Sequence, residues 1–210
     1  MYLTEFLTIA IAHLLAVASP GPDFALVLRQ SAAHGRTAGL WTSAGIAVGI
    51  LVHVSYCLLG VAVLLASSEN LFTAMKLIAA AYLLYLGVTA VRDSFHVAAT
   101  ALTETASRSL LPRQLFLNGF ITNGLNPKAT LFFLALFTVV ISRTTPLPVQ
   151  ILYGIYLSAA TFCWFAALSS LLGQDRVRSL VLKSGGWFER AMGIVLIGLA
   201  LQLAISMLPA

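Results

Sequence analysis

Long apolar runs, each ended by a short polar or turn-forming stretch, set the pattern of this chain. Six of them reach the roughly 20 residues that a helix needs to cross hydrocarbon: Leu3–Leu28, Leu40–Ala66, Leu71–Val91, Gln114–Ile141, Val149–Leu172 and Trp187–Leu208. No run sustains the period-two alternation of polar and apolar residues that barrel strands require. The pattern therefore predicts an all-α integral membrane protein with six transmembrane helices. Between them lie His34-Gly35-Arg36, Ser67-Ser68-Glu69-Asn70, a long central connection from Asp93 to Pro112 with Glu104 and Arg108, a short one from Thr144 to Pro148, and a basic one from Gly173 to Gly186.

Composition narrows the solvent. Of 210 residues, 60% are apolar and 9% charged, and the mean hydropathy is +0.95. A soluble domain carries about a quarter charged residues, and so few charges could not cover this much apolar surface in water. The net charge of +5 points to topology rather than nucleic acid, because no basic run or basic–aromatic stripe is present. Connections one, three and five hold Arg29, Arg36, Arg92, Arg108, Arg113, Arg176, Arg178, Lys183 and Arg190, whereas the other side holds only Arg143. The positive-inside bias puts those three connections in the cytoplasm and both termini outside it. Ala16-Val17-Ala18 has the look of a cleavage site, but Met1 to Glu5 lacks a basic n-region, so the first run is read as a retained helix.

Three helices precede the central loop and three follow it. An odd number per half turns the halves over relative to each other, as in inverted-repeat transporters whose sites lie where the repeats meet. The expected organisation is one membrane domain over 1–210: a repeat of about 1–92, a cytoplasmic loop of about 93–112 and a second repeat of about 113–210. Each half opens with a helix interrupted by proline, at Ser19-Pro20-Gly21-Pro22-Asp23 in helix one and Asn126-Pro127-Lys128 in helix four. Pro22 and Pro127 fall at matching places, each followed by a charge and an apolar run.

Proline removes an amide donor and clashes with the preceding turn, so each interruption frees backbone groups. In hydrocarbon such groups persist only where protein or a wet cavity satisfies them. The half-helices after Pro22 and Pro127 turn partly positive N-terminal ends toward the membrane interior, which suits a substrate carboxylate. Asp23 and Lys128 sit beside the breaks, and charges at such depth usually mark an ion or substrate path. Lys128 with the half-helix ends would take a carboxylate, and Asp23 an ammonium or a coupling proton. The structural alternative is an Asp that starts a helix and pairs with Lys128, beside prolines that only kink. Two breaks at corresponding positions favour the functional reading.

Together, Ser19-Pro20-Gly21-Pro22-Asp23-Phe24 and Asn123-Gly124-Leu125-Asn126-Pro127-Lys128-Ala129 make the chain resemble the lysine exporter (LysE) superfamily, and within it the homoserine/threonine-resistance (RhtB-type) branch. The likeness runs through the whole chain. It implies export of amino acids, threonine- or homoserine-like or otherwise neutral, across a bacterial cytoplasmic membrane by proton antiport. No cofactor and no enzymatic activity are expected; the expected partners are an amino acid, protons and the lipid bilayer, with a homodimer left open. Carried over residue by residue, the functional positions are Pro20, Gly21, Pro22 and Asp23 in one motif and Asn126, Pro127 and Lys128 in the other.

Other polar residues have plainer readings. Lys76 is close enough to the outer interface to snorkel. His13 and His53 are intramembrane, but their spacing has no metal-ligand form, so polar packing between helices is expected over a relay with Asp23. Gly45-Ile46-Ala47-Val48-Gly49 is a small-xxx-small face for close helix packing within the bundle. Trp41, Trp164 and Trp187 suit interfacial or packing roles. Asn118 and Asn123, on helix four with Asn126, are candidates to line the cavity, because a lipid-facing Asn is costly.

Cys57 and Cys163 raise a rival, a transmembrane thiol or electron carrier. Neither has a Cys-x-x-Cys neighbour or an adjacent cation to favour the thiolate, and a buried free Cys is ordinarily a small apolar residue. A heavy-metal ion exporter would want soft or imidazole ligands together, and the His and Cys here are scattered. No Ser–His pair, His-Glu-x-x-His motif or paired intramembrane Asp suggests an enzyme.

Overall fold

Prolines decide where two of the apolar runs of this chain are cut. In the computed structural model, which describes residues 2–67, 69–95, 110–142, 144–171 and 175–205, the described residues form eight α-helices and no strand. They are α1 (Tyr2–Ala18), α2 (Pro22–His34), α3 (Arg36–Ser67), α4 (Glu69–Asp93), α5 (Pro112–Gly124), α6 (Pro127–Val139), α7 (Leu147–Leu171) and α8 (Asp175–Ile205). Glu104 and Arg108 of the central connection, and Arg143, lie outside the described residues. So do the side chains of Lys76, Arg176, Arg178 and Lys183.

Within the described residues each of the six apolar runs is helical, and the two that carry proline motifs are each split in two. The first is cut at Ser19–Gly21, where α1 and α2 meet at 54°. The second is cut at Leu125-Asn126, with Pro127 in the first turn of α6. Pro at that place costs nothing, because its missing N–H would have had no partner. The expected basic connection is mostly helix instead: α8 begins at Asp175, twelve residues before Trp187. Val177, Leu180 and Val181 recur there at helical spacing, and the basic residues hid that pattern.

By length and apolarity, α3 over Arg36–Gly60 and α7 over Leu147–Leu171 can each cross a membrane, and the bent pair α1–α2 makes a third candidate span. Shorter apolar segments are Ala80–Arg92, Pro127–Thr138 and Arg190–Leu201. Much of the outward surface is apolar, with Leu3, Leu59, Ile78, Ile155 and Ile194 exposed. Lipid, not water, is the solvent for such side chains, and the molecule is a membrane protein.

Three helix pairings position the site. α3 packs along both α5 and α7, and α4 packs along α8. The α3–α5 contact is glycine against backbone: a Cβ at Gly45 would fall on the Phe116 carbonyl, and one at Gly119 on the Thr42 carbonyl. The small-residue face expected of Gly45 and Gly49 is thus used inside the bundle. Gly87 and Gly193 make the same kind of crossing between α4 and α8, each Cβ position lying 2.7–2.8 Å from the other's carbonyl oxygen. The larger core cluster, with Ile9, Leu83, Phe133, Leu136, Leu157 and Leu196, fills the space between the first helix, α3, α4, α6, α7 and α8.

Candidate functional site

The two breaks face each other, and each supplies what the other lacks. Lys128, in the first turn of α6, reaches the first break, where its Nζ donates to Ser19 Oγ at 3.0 Å and to the Pro20 carbonyl at 3.3 Å. Asp23, in the first turn of α2, accepts at Oδ2 from Asn123 Nδ2 at 2.8 Å and Asn126 Nδ2 at 3.2 Å. Asn126 also caps α6, its Oδ1 accepting from the Lys128 N–H at 3.0 Å. Asn123 and Asn126 are 1% and 6% exposed, so the amides that hold the carboxylate are fixed by packing.

Pro127 explains one further contact. In an unbroken helix, the residue at that position would donate to the carbonyl four residues earlier, that of Asn123. The carbonyl instead accepts from the Asn126 N–H at 2.9 Å and from His53 Nε2 at 3.0 Å. A carbonyl only accepts, so Nε2 carries the proton. In the neutral ring Nδ1 then accepts from its other partner, the Tyr56 hydroxyl. His53 is fully buried and stacks on Phe133. One turn earlier on α3, Gly49 lies against the Asn123 side chain, where a Cβ would come within 2.6 Å of Oδ1.

The breaks open onto one cavity, lined by residues of both together with α1, α3, α4, α6, α7 and α8. It has about 60 Å³ of room for the centres of water molecules, against the roughly 10–15 Å³ that one buried water needs. Asp23 Oδ1 is buried and has no hydrogen-bond partner among the described residues. A buried carboxylate oxygen left without a donor is costly, and a cationic or protonated partner would relieve that cost.

Similarity to known proteins points the same way as this geometry. A family profile described as "LysE type translocator" matches residues 14–207. The chain belongs to that family. A threonine efflux protein of Escherichia coli (strain K12) is 26% identical over 203 residues, which is 96% of this chain and 98% of the relative. A leucine efflux protein of Klebsiella pneumoniae is 29% identical over 207 residues, covering 95% of this chain and 94% of the relative. No solved structure matches.

In this LysE-type translocator, the site residues expected from sequence come together at the breaks. Asp23, Asn123, Asn126, Lys128, Gly21 and Pro22 all line the cavity, Pro20 lends its carbonyl to Lys128, and Pro127 sets the start of α6. Gly21 is not held there by backbone strain, since its φ of −170° and ψ of −176° are extended and open to any residue. Asn118 departs from expectation. It is exposed and away from the cavity, because five residues on a helix turn it well away from the face of Asn123.

The histidines link helices, as expected of polar packing: His13 Nε2 lies 2.9 Å from Thr161 Oγ1 on α7, and His53 joins α3 to α5. Cys57 is buried on α3 and Cys163 exposed on α7, both free thiols. Among the described residues, no group of three or more His, Cys, Asp or Glu is placed to hold a metal ion.

Sequence reasoning did not single out Ser19 or Gly49 as site residues, and it gave His53 only a packing role. A signal for His53 was present, because Gly45, Gly49 and His53 recur every fourth residue on one face of α3.

Proposed function

We propose that this chain is a secondary transporter that exports amino acids across the bacterial cytoplasmic membrane in exchange for protons. The observation that carries the reading is the reciprocal capping of the two breaks around one cavity, with a carboxylate on one side and an ammonium on the other. A zwitterion presents the complementary pair of charges. Its ammonium would take Asp23 Oδ1, and its carboxylate would take Lys128 with the N-terminal ends of α2 and α6. The relatives named as threonine and leucine efflux proteins support amino acids as the cargo.

The order of elements supports two inverted repeats and alternating access. A broken helix followed by two long ones, α1–α2, α3 and α4, recurs as α5–α6, α7 and α8. On this reading the domain comprises repeats of about 1–92 and 113–210 joined by a cytoplasmic loop, with six spans and both termini outside. Rocking of one repeat on the other would break and remake the contacts of Asp23 and Lys128, so that cargo and proton alternate at the same carboxylate.

Efflux of labelled amino acids from preloaded cells, with and without an uncoupler, tests this. Asp23→Asn is nearly isosteric, and its one carbonyl oxygen can still accept both amides, so the variant should insert and fold. Uphill efflux should be abolished and sensitivity to the uncoupler lost. Unchanged uphill efflux would remove Asp23 from the mechanism.

A further inference from the structure

We propose that the cargo carries an apolar side chain, aliphatic or thioether, rather than a hydroxylated or charged one. The inference rests on the amino-acid export reading and concerns the same cavity. Its two ends differ. The breaks supply the polar end, and Asp23 and Lys128 are there committed to the ammonium and carboxylate that every α-amino acid shares. Beyond them the described lining is apolar apart from His13 and Thr161, with Ile50, Leu86, Phe132, Phe165, Met192 and Leu196 contributed by five helices.

Among the described lining residues, His13 is the one further ionisable group. It is hydrogen-bonded to Thr161, which also lines the cavity, at 2.9 Å, and both are buried. Each is already bonded to the other, and away from the breaks the described lining has no other polar side chain, so a substrate hydroxyl would meet mostly apolar wall. A lysine- or arginine-like side chain would find no second carboxylate. An aliphatic or thioether chain needs neither, and gains from leaving water against the apolar wall. Relatives named for threonine and for leucine efflux share the family, so membership does not choose between these classes, whereas the lining does.

Cells expressing the chain are preloaded with labelled leucine, methionine, phenylalanine, threonine, homoserine or lysine, and efflux is compared with cells expressing Asp23→Asn. Leucine and methionine should leave at least about ten-fold faster than threonine, homoserine or lysine, the discrimination that one or two well-packed methylenes supply. Leu86, half-buried on α4, is then shortened. Leu86→Ala should raise the phenylalanine-to-leucine efflux ratio several-fold, a readout indifferent to expression level. Threonine or homoserine leaving as fast as leucine would overturn the apolar class and leave amino-acid export standing. An unchanged ratio in Leu86→Ala would also overturn the proposal, since the wall would not touch the side chain. Efflux of none of the six amino acids would sink the export reading itself.

Discussion

Replacing Gly49 by alanine tests whether the helix α3 surface, rather than the proline motifs alone, sets the site. The new Cβ would stand 2.6 Å from Asn123 Oδ1, 3.0 Å from its Cβ and 3.1 Å from its Cγ. Ordinary carbon contacts begin near 3.5 Å, so the Asn123 side chain must retreat by about half an ångström to one ångström. It cannot do so freely, because its amide holds Asp23 at 2.8 Å and its backbone is tied to His53. Overpacking of this kind typically costs about 1–3 kcal/mol. A stretched hydrogen bond to a carboxylate adds to that, such bonds being worth about 1.5–3 kcal/mol when intact.

The control is Gly198→Ala on α8, where a Cβ would meet nothing within 4 Å and the change should be neutral or stabilising by about 0.5–1 kcal/mol. Purified in detergent, Gly49→Ala should unfold at a lower midpoint than Gly198→Ala. In cells at matched membrane abundance, it should lose most of its uphill efflux. Equal midpoints and equal efflux for the two variants would show that the Asn123–Asp23 contact does not depend on this close approach.

Two further outcomes follow from the polar contacts. His53→Phe keeps the ring stacked on Phe133 but removes the donor to the Asn123 carbonyl. Stability should fall by about 1 kcal/mol, the usual value of one such bond, and efflux should fall with it; efflux at the parent level would make His53 a packing residue alone. Glu5, buried at the start of α1, accepts from the Ser142 N–H at 3.1 Å, the Thr145 hydroxyl at 2.9–3.0 Å and the Tyr153 hydroxyl at 3.3 Å. Glu5→Ala leaves the Ser142 and Thr145 donors unmatched, while the Tyr153 hydroxyl keeps the Tyr2 carbonyl at 3.1 Å; stability should fall by about 1–3 kcal/mol, read as a lower unfolding midpoint, and no change would mean that water replaces the carboxylate.

The sequence by itself determined the class of molecule, the helical runs and the place of the two breaks. Each follows from local chemistry. Apolar runs of a given length, a low charge count and the missing amide of proline act the same way whatever packs against them. Asp23, Asn126 and Lys128 were legible for this reason, standing beside prolines in segments too apolar to carry a charge idly. The tertiary structure alone decided which atoms meet. Nothing local says that Lys128 reaches Ser19 and the Pro20 carbonyl 108 residues away in sequence, or that Asn123 rather than Asn118 turns toward Asp23. Nor does it say that His53 takes the carbonyl Pro127 leaves free, or that the start of α1 is anchored through Glu5. The contacts of His53 and Asn123 depend on how closely α3 can approach α5, and that distance is set where glycine lies against backbone. Spacing along one helix shows which residues share a face, but only packing shows what that face meets.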